Sequence, residues 1–297
     1  MSKIALLSQE TIDKIAAGEV VERPSSVVKE LVENAIDAGA SAITVEIKEG
    51  GISLIRITDN GCGIPKEEVP LAFLRHSTSK IRSAEDLMCV HSLGFRGEAL
   101  SSIAAVSRVE MITKPADALT GTRYVIEGSK EIADEEIGAP DGTTFLVRDL
   151  FYNTPARRKF LKTAQTEGTY ISDMLEKLAL SHPDISFKYI NNNQTRLHTS
   201  GNGKKRDLIY HIYGREIAAA LLEVNYKGEY FSLSGYIGKP VINRGNRNYE
   251  NYFINGRYIK SSLLSRSIEE AYHNFLMQHQ YPVSYTHLRA HETREDL

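Results

Sequence analysis

The residues best placed to do chemistry lie in KELVENAIDAGA, residues 29–40. Read as a helix, this stretch puts Glu30, Glu33, Asn34 and Asp37 on one face at spacings of three and four. Val28, Leu31, Val32 and Ala35 fall on the opposite face. The plainest reading is an amphipathic helix with a solvated acidic side. Solvated faces usually alternate signs, because like charges three or four apart repel by roughly a few tenths of a kcal/mol. On this side no lysine or arginine is expected among the acids. Uncompensated carboxylates beside an amide suit a hard cation. Mg²⁺ takes oxygen ligands, few of them from protein, with phosphates and water completing its shell. Asn34 offers a carbonyl oxygen for it. Glu30, one turn earlier, can accept a proton from an attacking water.

A second motif is DNGCGIP, residues 59–65. Asp-Asn-Gly is strong turn chemistry, so a bare turn is one reading. As a bare turn it carries more than it needs. Gly61 and Gly63 remove side chains where a flat ligand could approach the backbone, and Asp59 supplies an acceptor for an exocyclic amine such as that of adenine. Lys66 stands where a Rossmann fingerprint would have its third glycine.

The third stretch runs from Arg75 to Val106. Leu93, Gly94, Phe95, Arg96 and Gly97 lead through Glu98 into an apolar helix. Free N–H groups and the dipole at that helix start could hold an anion. Thr78, Ser79 and Lys80 add hydroxyl and ammonium donors. The loop is either an ordinary surface connection or a lid. No P-loop, G-x-S-x-G or HExxH pattern occurs.

The elements that must position these groups can be read coarsely. Residues 8–17 form a helix capped at Ser8, and Val27–Ala38 a stronger one preceded by Pro24. ITVEIKEGGISLIRITDNG is a hairpin ending at Asp59. Residues 97–106 are helical, and RVEMITK, TRYVIEG and TTFLVRDLF are strands. A helix near 167–181 precedes the hairpin ISFKYINNNQTRLHT. SGNGKKRD, residues 200–207, is the best linker. After it come a helix near 207–213, strands near 221–237 and 250–254, and a helix near 261–278. Helices and strands mix without βαβ alternation, which favours an α+β sandwich over a Rossmann domain.

Composition sets the frame. A chain of 297 residues implies two domains, and 41% apolar with 25% charged content is ordinary for a globular protein. A net charge of −2 calls for no generally basic or acidic partner. Two cysteines, Cys62 and Cys89, with no CxxC pair argue against a disulfide framework or zinc ribbon and for a reducing compartment. No apolar run is long enough to span a bilayer, and the N-terminus is interrupted by charges, unlike a signal peptide. Together these predict a cytoplasmic protein without membrane contact.

Taken in order, E-x3-N, then D-x-G-x-G, then a glycine-rich lid resemble the ATPase superfamily of type II topoisomerases, heat-shock chaperones, histidine kinases and MutL. Within it the chain resembles the MutL family of DNA mismatch repair proteins. The resemblance is carried by IAAGEVVERPSSVVKELVENAIDAGA, DNGCGI, RHSTSKI, SLGFRGEALSSI, GTTFLVRDLFYNTPARRKFLK and INGRYI. It implies a two-layer α/β sandwich with a mixed sheet over residues 1–203. A smaller, incomplete α/β domain, similar to ribosomal-protein-like domain 2, would follow over 204–282. By the same resemblance Glu30 is the general base, Asn34 the Mg²⁺ ligand and Asp59 the partner of the adenine amine. Gly61, Gly63 and Thr143 line the base pocket, and residues 75–80 and 93–97 cover the phosphates of ATP. Glu33 and Asp37 are neighbours of the reaction, Asp37 close to the nucleotide. The family also implies ATP-dependent homodimerisation, a MutS-like mismatch sensor, DNA, and a downstream nuclease or helicase.

DNA contact has its own support in basic clusters: Arg157, Arg158, Lys159 and Lys162, then Lys204, Lys205 and Arg206, then Arg244, Arg247, Arg257 and Lys260. Such patches suit phosphate contact without sequence preference. Two other classes compete: a nucleotide-independent DNA-binding scaffold, and a different ATPase of the superfamily. The end of the chain departs from the pattern. Residues 283–297 are polar and without period, as in a non-native tail, and His287 and His291 lack a third ligand for a metal. The family's lysine that reaches the γ-phosphate is not found, which predicts impaired hydrolysis. It also predicts an unpaired sheet edge in the second domain.

Overall fold

The computed structural model describes residues 7–77, 93 and 97–290. The chain divides into two compact units. The first takes the chain through Leu175 and again Ile185–His198; the second takes Glu176–Asp184 and the chain from Thr199 onward.

The first unit is built on an eight-stranded mixed sheet. Its strands are β1 (Ala42–Lys48), β2 (Leu54–Asp59), β3 (Arg108–Lys114), β4 (Gly121–Glu127), β5 (Lys130–Ile137), β6 (Gly142–Arg148), β7 (Ser186–Asn191) and β8 (Gln194–His198). Their spatial order is β5-β4-β3-β6-β2-β1-β7-β8. All neighbours pair antiparallel except β1 and β7, which run parallel. Strict alternation forms these strands. In β1, Ile43, Val45 and Ile47 are buried; in β2, Ile55 and Ile57; in β3, Val109 and Met111; in β6, Phe145 and Val147.

That alternation continues past the aliphatic residues. The next inward position is Asp59 on β2, Thr113 on β3 and Thr143 on β6, all buried. Registration places Thr143 opposite both Asp59 and Thr113. Three neighbouring strands therefore end their core face on polar side chains.

Helices α1 (Gln9–Val20), α2 (Pro24–Asp37), α3 (Val69–Ala72), α4 (Ala99–Val106), α5 (Pro155–Phe160) and α6 (Ala164–Ser181) accompany this sheet. The Ser8 hydroxyl caps α1 by accepting the Thr11 N–H at 3.3 Å. The α2 helix starts three residues before the predicted Val27. Pro24 occupies its first turn, where a missing N–H costs nothing. Val27, Val28, Leu31, Val32 and Ala35 are its buried stripe. Strand β5, KEIADEEI, carries no alternation in the sequence because it is an exposed, charged edge strand.

The second unit holds α7 (Lys205–Ala219) and α8 (Ser262–Ala271), with strands β9 (Leu221–Lys227), β10 (Phe231–Gly238), β11 (Glu250–Ile254), β12 (Arg257–Ile259) and β13 (Ser284–Ala290). The sheet order is β12-β11-β13-β10-β9. Two predictions change here. Ser284–Ala290, read in the sequence as a tail without period, is the middle strand, antiparallel to β10 and parallel to β11. The edge expected to lack a partner is consequently filled. The physical reason is that a strand pairs through its backbone. Val283 and Tyr285 supply buried side chains, and small Ser284 and Thr286 are buried without an apolar signal. Among the described residues no helix is long and apolar enough to cross a membrane.

His287 on β13 stacks on Phe253, ring centroids 4.6 Å apart. Burial, with Lys205, Arg289 and His182 nearby, pushes its pKa down to about 3. The unfolded chain therefore binds a proton near pH 6.5 that the folded chain refuses, and stability drains away as pH falls through that value. In urea titrations the parent should lose stability relative to His287→Leu between about pH 7 and pH 4. Parallel curves would mean that β13 does not dock.

Candidate active site

A cavity of about 1080 Å³ lies in the first unit. Glu30 and Asn34 line it from α2, Asp59 from the end of β2, Gly63 from the following turn, and Thr143 from β6. Asp37, Leu93 and Gly97 line it too. The cavity thus gathers three stretches that are remote in sequence. Gly61 does not line it but donates its N–H to Asp59 Oδ1 at 2.8 Å. Thr78, Ser79, Lys80, Gly94, Phe95 and Arg96 lie outside the described residues.

Asp59 is 8% exposed. Burial raises its pKa, opposed by the Gly61 and Thr143 backbone N–H groups that hold the charged form. The result is a fixed acceptor at the cavity's inner end. Gly63 has φ +71°, and a Cβ there would collide with the Lys114 carbonyl oxygen. The turn passes too close to β3 for any side chain. Gly97 is confined likewise, at φ +63°, where a Cβ would meet the Ser77 carbonyl oxygen at 2.5 Å.

The acidic helix face differs from its sequence reading. Lys29 Nζ stands 3.4 Å from Glu33 Oε1 and 3.7 Å from Glu30 Oε1. The expected absence of an interleaved cation is corrected, because Lys29 is itself four residues before Glu33 and reaches across the face. Asp37 Oδ1 accepts the Leu93 N–H at 3.0 Å, so this acid anchors the stem of the glycine-rich segment. Glu98, before α4, pairs with His76 at 3.3 Å. Sequence reading misses Glu19, Lys29, Glu68, Cys62 and Glu98 as cavity residues.

Electrostatically the cavity is acidic. Glu19, Glu30, Glu33, Asp37, Asp59, Glu68 and Glu98 line it against Lys29, the one cation among the described lining residues. No group of three or more His, Cys, Asp or Glu among the described residues is arranged to hold a metal by itself. The donor set therefore fits a cation that arrives with oxygen ligands of its own, with Asn34 adding a neutral carbonyl oxygen.

Several cations assigned to DNA are engaged elsewhere. Arg157 Nη2 donates to the Lys14 carbonyl at 2.9 Å, and its guanidinium fills the space a Gly18 side chain would need. Arg247 forks onto Glu269 at 2.5 and 3.1 Å. Arg244 donates to the Asn243 carbonyl and lies over Tyr249. Lys205 is half-buried beside Ser234. Arg158, Lys159 and Lys162 remain exposed around α5.

Comparisons with known proteins agree with this geometry. The model for histidine kinase-, DNA gyrase B- and HSP90-like ATPases matches residues 19–148. That for the DNA mismatch repair protein C-terminal domain matches 209–297. The DNA mismatch repair protein MutL of Agathobacter rectalis is 80% identical over 282 residues, 95% of this chain and 44% of that protein. The MutL of Thermoanaerobacter pseudethanolicus is 47% identical over 297 residues, all of this chain and 48% of that protein. The chain therefore spans about half the length of the curated relatives it matches. Among solved structures, the Aquifex aeolicus MutL ATPase domain complexed with ADP superposes with a TM-score of 0.70 at 27% identity, covering 91% of this chain and 92% of that one. The N-terminal domain of a DNA repair protein gives 0.79 at 26% identity, covering 94% and 86%. With cavity, sheet and sequence in agreement, the chain belongs to the MutL family of DNA mismatch repair proteins.

Proposed function

We propose that this chain binds ATP in the cavity of its first unit and hydrolyses it as the ATPase part of a mismatch repair protein. The observation that carries the reading is the buried Asp59 carboxylate, held by two backbone N–H groups in the same cavity as Glu30 and Asn34. A fixed buried acceptor is what an exocyclic amine requires, and it rejects a carbonyl at that position. The ADP bound to the Aquifex relative supports the same choice of ligand.

The roles divide by position. Asp59 accepts from the adenine amine, with Gly63 and Thr143 beside the base. Asn34 holds Mg²⁺ through its side-chain oxygen. The metal, when bound with the triphosphate, offsets the negative charge of phosphates and cavity together. Glu30 takes the proton of the attacking water. Asp37 fixes Leu93 and so the stem of the segment that would cover the phosphates.

Coupling follows from that anchoring. A γ-phosphate bound beside Leu93 and Gly97 would add order to that wall of the cavity, and its loss would remove it. In the family reading this order drives dimerisation of two ATPase units around DNA, under a MutS-like sensor and upstream of a nuclease or helicase. The exposed cluster Arg158, Lys159 and Lys162 supports backbone contact without base readout. The division into an ATPase domain through residue 203 and a transducer-like domain after it belongs to the same proposal. The competing scaffold reading keeps the DNA contact and discards the nucleotide.

Calorimetry separates these. Mg-ATP should give a saturable heat, and none at millimolar nucleotide would remove the ATPase reading. The Glu30→Ala variant should keep that heat and lose turnover by roughly 10²-fold or more; equal turnover would mean the base lies elsewhere. Because burial raises the Asp59 pKa, ATP affinity should begin to fall on acidification above the usual aspartate range. The Asp59→Asn variant should be weak at every pH and lack that inflection. DNA binding should decline steeply between about 50 and 200 mM salt, by about 10-fold per unit change of log salt for each phosphate contact. Reversing Arg158 and Lys159 to glutamate should flatten that slope.

A further inference from the structure

Phe160 ends α5 with its side chain 84% exposed. Single exposed apolar side chains are ordinary on protein surfaces, but this one is pinned in place from both sides. Before it, Arg157 Nη2 donates to the Lys14 carbonyl at 2.9 Å, and the guanidinium seats against Gly18. After it, the Lys162 N–H donates at 3.0 Å to Oε1 of Glu167, which is wholly buried. With both flanks anchored, the exposure of the ring belongs to the folded backbone and not to a loose loop. The fold thereby gives up the burial that an aromatic side chain usually contributes.

The charges around the ring select what could cover it. Residues 150–166 contain Arg157, Arg158, Lys159 and Lys162 and no aspartate or glutamate. Arg157 is spent on α1, while Arg158, Lys159 and Lys162 are exposed. An apolar protein partner would have to strip water from these cations. A polyanion with flat apolar faces satisfies both features at once: phosphates meet the cations, and a base meets the ring. In a duplex those faces are already stacked on their neighbours, whereas in a single strand they are free.

We propose that Phe160 is a base-stacking residue for single-stranded DNA, the aromatic platform of a basic segment whose Arg158, Lys159 and Lys162 hold the backbone. Stacking needs a π face and no particular hydrogen-bond pattern, so the contact is indifferent to sequence, as are cations that meet phosphate alone. The two anchors present the ring before DNA arrives, so little ordering is left to the moment of binding. Phe160 does not line the cavity, and its change leaves the nucleotide site intact. This inference rests on the DNA reading of α5.

The test is fluorescence anisotropy of the parent, Phe160→Ala and Phe160→Trp on a single strand, an abasic strand of the same length and a duplex, each across a salt series, with folding followed by circular dichroism. Phe160→Ala should lose about tenfold in single-strand affinity, the scale of one base–aromatic stack. Phe160→Trp should keep the parent affinity. On the abasic strand and the duplex the three proteins should agree. Their slopes against log salt should also agree, because stacking releases no counterion. A changed slope would mean that the ring only positions the cations, and would overturn the inference. So would an unchanged single-strand affinity, or an equal loss on all three DNAs. Self-association of the parent that Phe160→Ala abolishes without a change in DNA affinity, seen by sedimentation, would assign the ring to an interface between copies and overturn it too. A parent that binds none of the DNAs would overturn the DNA reading itself, and this inference with it.

Discussion

The site depends on a carboxylate placed where an aliphatic side chain would be expected. Asp59 continues the inward face of β2 after Ile55 and Ile57, and it is buried with them. Burying a charge is costly unless it is hydrogen-bonded. The Gly61 N–H and the opposite Thr143 N–H supply those bonds. The turn after β2 must therefore fold back on its own strand, and β6 must sit in register. Gly63 can meet that demand only without a side chain, because the Lys114 carbonyl occupies the space.

Around this fixed point the remaining parts are held by ordinary secondary structure. Pro24 starts α2, which brings Glu30 and Asn34 to the cavity wall next to Leu31 and Ala35 of its buried stripe. Arg157 ties α5 to the carbonyls of α1, whose last turn contributes Glu19 and Val20 to the wall. Motifs that look separate in the chain, IAAGE and PARRK, are two sides of one contact. Gly18 is small there because a guanidinium needs the room.

Much of this is legible in the residues alone. The period of α2 separates its acids from its aliphatics, and the alternation of β1 and β2 locates the hairpin that ends at Asp59. What escapes has weaker local signals. Strand β5 is charged on both sides, so no alternation marks it. Strand β13 buries serine and threonine as well as tyrosine, and its pairing is a backbone property that composition does not report. Lys29 escapes because a helical wheel fixes Cα positions and says little about where a four-carbon side chain reaches. Thr113 does carry a signal, since it extends the Val109–Met111 alternation into a polar residue, as Asp59 and Thr143 do on their strands.

The pairing of β2 with β6 and β3 has a consequence for how the molecule is made. Asp59 leaves the ribosome long before Thr143, and everything in β3, β4 and β5 comes between them. Until β6 has emerged, the carboxylate lacks one of its two donors, the Thr143 N–H. A nascent chain or proteolytic fragment that stops short of Arg148 cannot own this pocket, however complete its first helices are. A complete pocket therefore cannot precede synthesis of the sixth strand.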